Sequence, residues 1–314
     1  MRTALFTHPA CLDHRPPVGH PERPERLQAV LEGLSGERFA ALDRREAPRA
    51  SVDAIALVHS LELIDAIAEA GREASFAAVQ LDPDTFMSSG SLEAAWRAAG
   101  AATAAVDCVL GGEAEAAFCA VRPPGHHSEP EAPMGFCLFN NAAIAAFYAR
   151  EAFGIKRPAV VDFDVHHGNG TQAAFWSDPS LFYASIHQFP FYPGTGAANE
   201  HGGAGNIVNA PIKSGADVQD WRAAFTQTIL PKLAAFAPDL LIISAGFDAH
   251  KNDPLASLNL EAEDFAWATE ELLKAVKAGQ PGGARGIVSC LEGGYDLDAL
   301  RESAAAHVGA LLDA

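Results

Sequence analysis

Residues 160–171 read VVDFDVHHGNGT. An apolar run of the kind that fills a core ends in two carboxylates (Asp162 and Asp164), two imidazoles (His166 and His167) and a glycine-rich turn. Ionised groups are costly to bury unless they are paired or bind a metal. A strand that only filled space would not end this way. The whole segment PAVVDFD (158–164) has the continuous apolar character of a strand buried on both faces.

Working outward, the same design recurs. Strand-like runs are TALFT (3–7), AAFCAV (116–121), LFYASI (181–186), NIVNAPI (206–212), LLIISAG (240–246) and GIVSCL (286–291). Helical patterns lie between most of them. Ser91 is placed to cap LEAAWRAAGAATAAVDCVL, which runs into Gly111 and Gly112. Asn141 begins AAIAAFYAREAF, which stops at Gly154. Asp217 begins VQDWRAAFTQTILPKLAAF, with a kink expected at Pro231, and the last helix starts near Asp296. Alternating strands and helices predict an α/β fold with a mainly parallel central sheet flanked by helices. In such sheets ligands bind beyond the carboxyl ends of the strands. Four of the runs are followed there by chemistry-bearing segments: RPPGHHSEP, VHHGNGT, FDAH and LEGGY.

The chain has 314 residues, 49% of them hydrophobic, with no long Pro/Ser/Gly linker, low-complexity tract or internal repeat. A single domain over 1–314 is expected. The net charge of −18 argues against a nucleic-acid partner and mildly favours cationic substrates such as lysine-rich peptides or polyamines. Five cysteines, Cys11, Cys108, Cys119, Cys137 and Cys290, form no CxxC pair and suit reduced thiols. No apolar run nears the ~20 residues of a membrane span, and MRTALFTHPA is too short in its apolar part for a signal peptide. A cytoplasmic protein is expected.

Asp164 and His166 are two apart, so at an extended strand end both side chains point the same way. Asp248, in FDAH, follows another strand. Asp, His and Asp make three protein ligands with room for water and substrate, the open pattern of a catalytic metal. The O/N donor set suits Zn²⁺ and also Fe(II), Co(II) or Mn(II). His126 and His127 follow the stiff turn Arg122-Pro123-Pro124-Gly125, and Asp162 and Asn169 are available to orient one imidazole each. An Asp raises imidazole basicity more than an Asn, so the two histidines are expected to divide acid and base work. Tyr295 follows Glu292-Gly293-Gly294, which leaves its phenol free to approach a developing oxyanion.

RPPGHHSEPEAPMGFCLFNN, VVDFDVHHGNGTQ, SIHQFPFYPGTG, SAGFDAHKNDPL and LEGGY, in this order, resemble the motif set of the zinc-dependent histone deacetylases. That superfamily includes the acetylpolyamine amidohydrolases and the bacterial histone deacetylase-like amidohydrolases, and the likeness runs from GHPERPERL (19–27) to LEGGY. It implies an arginase/deacetylase-like fold and one catalytic Zn²⁺ on Asp164, His166 and Asp248. It further implies His126 and His127 as base and acid, Asp162 and Asn169 as their orienting partners, and Tyr295 as the group that polarises the carbonyl. Phe136 and Tyr192 would wall a narrow tunnel with Gly135 contributing backbone, and a K⁺ ion would sit among Asp162, Asp164, His166, Ser185 and Ile186. Asn169 follows the class II-like branch, and Tyr192 stands where many members carry Phe.

The implied activity is hydrolysis of N-acyl amides, most simply N-acetyl-lysine. An arginase-like ureohydrolase is disfavoured, because Gly168 and Gly246 stand where a second metal would need carboxylates. Acetylpolyamine hydrolysis is the main alternative. Polyamine-selective members of the eukaryotic type resemble this chain but carry Glu where it has Leu255, an apolar substrate-side residue with no anionic hook. A non-catalytic acyl-lysine binding module ranks below both, since every expected chemical group is present.

Overall fold

The computed structural model describes residues 1–279 and 283–314. Its strands are β1 (Thr3–Thr7), β2 (Asp43–Glu46), β3 (Val79–Gln80), β4 (Phe86–Met87), β5 (Ala116–Cys119), β6 (Pro158–Asp162), β7 (Phe182–Gln188), β8 (Ile207–Ile212), β9 (Leu240–Ala245) and β10 (Ile287–Leu291). Eight of them form one sheet in the order β2-β1-β5-β10-β9-β6-β7-β8, every pairing parallel. β5, β6, β9 and β10 are buried along their whole length, which is why they read as unbroken apolar runs. These four are consecutive neighbours at the centre of the sheet, so the four suspect segments leave from one edge.

Helices cover both faces. α4 (Ser91–Leu110) and α5 (Asn141–Phe153) pair with each other and lie along the central strands. α1 (Glu25–Gly33), α10 (Leu297–Asp313), α9 (Ala262–Gly279) and α8 (Leu230–Phe236) pack in series. From that layer His307 meets Phe118 of β5, and Phe265 meets Phe163 just beyond β6. α2 (Val52–Ile55), α3 (Leu61–Glu73), α6 (Asn169–Phe175) and α7 (Val218–Ala224) complete the helices. All five cysteines are buried and unpaired. Among the described residues no helix is long and apolar enough to cross a membrane.

The structure moves several expected boundaries. Asn140, one residue ahead of the expected start, caps α5 by accepting from Ala143 N–H at 2.9 Å, and Gly154 closes the helix in the left-handed region at φ 65°. Gly90 takes the cap position of α4; the Ser91 hydroxyl instead accepts from Ser88 N–H at 2.7 Å and contacts His14 Nδ1 at 2.7 Å. The kink at Pro231 is spread over the preceding turn. Phe225–Ile229 is a π-turn whose closing bond runs from Leu230 N–H to the Phe225 carbonyl, which accommodates a proline that has no N–H for the α-helical ladder. β6 ends at Asp162 rather than Asp164. There the Asp162 carboxylate takes the Asp164 N–H (3.1 Å) and Asp164 takes the His166 N–H (2.9 Å), replacing ladder bonds with side-chain bonds.

Candidate metal centre and active site

Asp164 and His166 lie on the bend after β6, and Asp248 on the turn after β9. One ligand atom from each falls within 4.8 Å of the others, and all three residues are buried. His166 Nδ1 is 3.1 Å from Asp164 Oδ1 and 3.0 Å from Asp248 Oδ2. The remaining carboxylate oxygens are held by backbone: Asp164 Oδ2 accepts from Gly293 N–H (2.7 Å) and Asp248 Oδ1 from Val165 N–H (2.8 Å). Glycine is required around them. A Cβ on Gly293 would stand 2.1 Å from Asp248 Oδ2, and one on Gly246 would stand 2.1 Å from Asp164 Oδ2. A Cβ on Gly168 would lie 2.3 Å from Asp162 Oδ2, so neither Gly168 nor Gly246 leaves room for the carboxylate of a second metal.

Zinc fits this donor set: two carboxylates and an imidazole nitrogen converging in a glycine-lined cradle. The electrostatics agree. Burial opposes charge on His166, but its hydrogen bonds to Asp164 and Asp248 outweigh it and hold the imidazole up at about 10. Burial and the neighbouring Asp164 push the Asp248 carboxyl up to about 7. The cluster therefore retains protons where a divalent cation would supply positive charge.

The paired imidazoles leave the turn after β5. His126 Nδ1 lies 3.0 Å from Asp162 Oδ2, its Nε2 lies 3.9 Å from Asp164 Oδ2, and the Tyr183 hydroxyl also donates to Asp162 at 3.0 Å. His127 Nδ1 lies 2.9 Å from Asn169 Oδ1, and the two rings stand 4.0 Å apart. Burial acts against charge on His126, but Asp164 and Asp162 outweigh it and raise its pKa to about 10. For His127, burial and the adjacent His126 and His166 push the pKa well below 6.5. The two imidazoles thus differ sharply in proton affinity.

Tyr295 is buried beyond β10. Its backbone N–H donates to Asp253 Oδ2 at 2.7 Å, and the Arg26 guanidinium sits 4.8 Å from the ring centre. Burial pushes its phenol well above 10, so it stays a donor. A cavity of about 210 Å³ reaches His127 and His166 and is lined by Gly135, Phe136, Phe191, Tyr192, Leu255, Tyr295 and Asp84. Gly135 and Phe136 both adopt positive φ, 57° and 68°. At Gly135 a Cβ would lie 2.4 Å from the His127 ring, so the close approach needs glycine. A bulky residue at positive φ is strained; Phe136 is held there by its N–H bond to Thr85 Oγ1 at 3.0 Å and stands edge-on to Tyr295. Tyr192 packs edge-on against His127, and its buried hydroxyl has no partner among the described residues. A larger cleft of about 1010 Å³ against the proline-rich segment 16–24 shares Leu255 and Tyr295, but neither paired histidine lines it.

The structure thus brings together Asp162, Asp164, His166, Asp248, His126, His127, Asn169 and Tyr295, with Gly135, Phe136, Tyr192 and Leu255 along the approach. Ser185 is the register partner of Asp162 on β7, with Ile186 next in chain. Sequence reasoning missed the residues that hold the frame. Glu22 is fully buried and takes Arg122 Nη2 at 2.6 Å and Arg26 Nη1 at 3.0 Å; the Arg26 guanidinium also donates to the carbonyls of Glu292 and Gly294 beside Tyr295. Glu292 Oε2 accepts from the N–H groups of Gly125 (2.7 Å) and His126 (3.1 Å), fixing the histidine turn from β10. Phe191, stacked on His166 at 5.2 Å, was also missed; its place beside Tyr192 was the available signal.

Comparison with known proteins places this geometry. The family model described as the histone deacetylase domain matches residues 20–311. The chain is 38% identical to the histone deacetylase-like amidohydrolase of Pseudomonas aeruginosa over 94% of this chain and 82% of that one. It is 38% identical to the mouse polyamine deacetylase HDAC10, over 93% of this chain and 45% of that longer protein. The crystal structure of the HDA15 HD domain superposes with a TM-score of 0.92 at 35% identity, covering 100% of this chain and 89% of the other. With the matched model spanning nearly the whole chain, this protein belongs to the histone deacetylase family, whose fold is the arginase/deacetylase type.

Proposed function

We propose that residues 1–314 act as one deacetylase domain that hydrolyses N-acyl amides, most simply N-acetyl-lysine in proteins or peptides, with Zn²⁺ held by Asp164, His166 and Asp248. The observation that carries this reading is the 210 Å³ cavity that ends on His166 and His127 beside the buried ligand set. Zinc supplies a positive charge that acidifies water and polarises a carbonyl. The apolar walls, Phe136 and Tyr192, admit an alkyl chain and exclude bulk water. His127, neutral and with Nδ1 engaged by Asn169, takes the proton of the attacking water. His126, with Nδ1 on Asp162 and Nε2 3.9 Å from Asp164 Oδ2, is the second imidazole of the acid–base pair beside the reacting centre. Tyr295 donates its hydroxyl proton as a hydrogen bond to the carbonyl oxygen as negative charge develops there. The proton held by the histidine pair passes to the departing amine, releasing lysine and acetate. A potassium ion beside Asp162, Asp164, His166, Ser185 and Ile186 belongs to the same proposal.

One observation favours acetylpolyamines as a second substrate class: Asp84 lines the same cavity as the apolar Leu255 and offers an acidic residue to a distal ammonium. Zinc-loaded protein assayed on an acetyl-lysine peptide, acetylputrescine and acetylspermidine tests both. Higher kcat/KM on the peptide supports the lysine reading, and higher values on the polyamines support the second. No hydrolysis of any acyl amide at full metal occupancy refutes both.

A further inference from the structure

We propose that Glu129 is a positioning residue for this reaction: its carboxylate fixes the amide of Asn169 so that His127 presents a bare Nε2 to the cavity. Its catalytic consequence rests on the acyl-amide hydrolysis proposed above; the hydrogen-bond assignment does not.

Glu129 Oε1 accepts from Asn169 Nδ2 at 2.7 Å, and the Met134 sulfur lies 3.2 Å from the same nitrogen. A carboxylate and a thioether have no proton to give, so the NH₂ end of the amide must face them. That leaves Oδ1 toward His127 Nδ1 at 2.9 Å. An amide oxygen only accepts, so Nδ1 must carry the proton, and a neutral imidazole with a proton on Nδ1 has none on Nε2. Asn169 is buried, so solvent does not decide its orientation. His126 needs no such helper, because Asp162 accepts through either oxygen.

The loop holds Glu129 in place through its backbone. Its N–H donates to Ala132 O at 2.9 Å, and its carbonyl lies 3.0 Å from His59 Nδ1, while His59 Nε2 accepts from Asn140 N–H at 2.9 Å. The Glu129 backbone is thereby tied through His59 to the start of α5. Without it only the weak thioether acceptor opposes rotation of the amide. Turned round, Asn169 Nδ2 would donate to His127 Nδ1 and shift the ring proton to Nε2, where it blocks proton acceptance.

The test uses the zinc-loaded 314-residue chain carrying Glu129→Ala, Asn169→Asp, or both, read by turnover of an acetyl-lysine peptide and by the ¹⁵N chemical shifts of the His127 ring. Proton transfer by a positioned base contributes about 10²- to 10⁴-fold, so Glu129→Ala should forfeit part of that, lowering kcat at least about 10-fold with KM and zinc content unchanged. The His127 proton should move from Nδ1 toward Nε2. In the Asn169→Asp background a carboxylate accepts from Nδ1 whichever way it turns, and Glu129 is only a like charge beside it. There Glu129→Ala should leave kcat unchanged or raise it. An equal loss in both backgrounds, which a merely structural role predicts, overturns the proposal. So does a His127 ring that keeps its Nδ1 proton in Glu129→Ala. If the protein hydrolyses no acyl amide, the functional reading fails by itself, and the ring shifts still decide the role of Glu129.

Discussion

Tyr295 and Gly293 sit two residues apart in LEGGY and do opposite things. Tyr295 contributes a hydroxyl; Gly293 contributes the absence of a side chain. If Tyr295 acts as proposed, replacing it by Phe removes one hydrogen bond made as the oxyanion forms, so turnover of an acetyl-lysine peptide should fall about 10²- to 10³-fold with little change in stability. Near-unchanged kcat would remove the phenol from the chemistry. Gly293→Ala places a methyl 2.1 Å from Asp248 Oδ2 and 2.5 Å from Asp164 Oδ2, displacing both carboxylates. Zinc affinity, measured by competition with a chromophoric chelator, should weaken by at least 10- to 100-fold, roughly the cost of disturbing groups around a metal. At this scale the candidate site residues were legible in the sequence, because each follows closely on the end of an apolar strand-like run. The supporting charges were not. Glu22 and Arg26, four residues apart, look like a solvated pair in a polar segment, and only a fold that brings Arg122 in from a hundred residues away shows all three paired and dry.

At the scale of elements, the central strands were legible because burial on both faces leaves a continuous apolar record. β2 was not: its sequence, DRRE, is that of an exposed edge strand, where charge blocks further pairing. The two-residue strands β3 and β4 carry too few positions for a period. Capping residues were read to within one position, since Asn140 and Asn141 are chemically identical and only the backbone angles separate them. The cap makes its own prediction. Asn140 accepts from Ala143 N–H and donates to the Ser128 carbonyl and Thr171 hydroxyl, tying α5 to the histidine turn and to α6. Asn140→Ala should cost about 2 kcal/mol or more, the upper end for a cap, because buried partners are also left unpaired. Urea unfolding measures it; a loss below about 0.5 kcal/mol would mean that the cap contributes little.

At the scale of the whole molecule, the active-site edge is braced by Glu22, which binds Arg26 of α1 and Arg122 after β5 in a dry interior. Burial alone would raise the Glu22 carboxyl, but Arg122 and His14 outweigh it and hold it well below its ordinary value of 4.5. A carboxyl depressed on folding contributes stability that is full above its unfolded pKa and is lost as pH falls toward the folded one. Stability should therefore decline below about pH 4.5, and Glu22→Gln should flatten that part of the curve. Leaving the buried arginines without their anion should also cost about 3–5 kcal/mol at neutral pH. Denaturant titrations across pH 3–7 check both.

The central claim is that two aspartates and one imidazole hold a divalent ion on which amide hydrolysis depends. Its most direct measurement takes purified protein, determines metal by elemental analysis, strips it with a strong chelator, and follows acetyl-lysine peptide hydrolysis before stripping, after it, and after one equivalent of Zn²⁺ is returned. The account predicts close to one zinc per chain, activity lost with the metal, and activity restored by the single equivalent. Full activity in protein shown to be free of metal would contradict it.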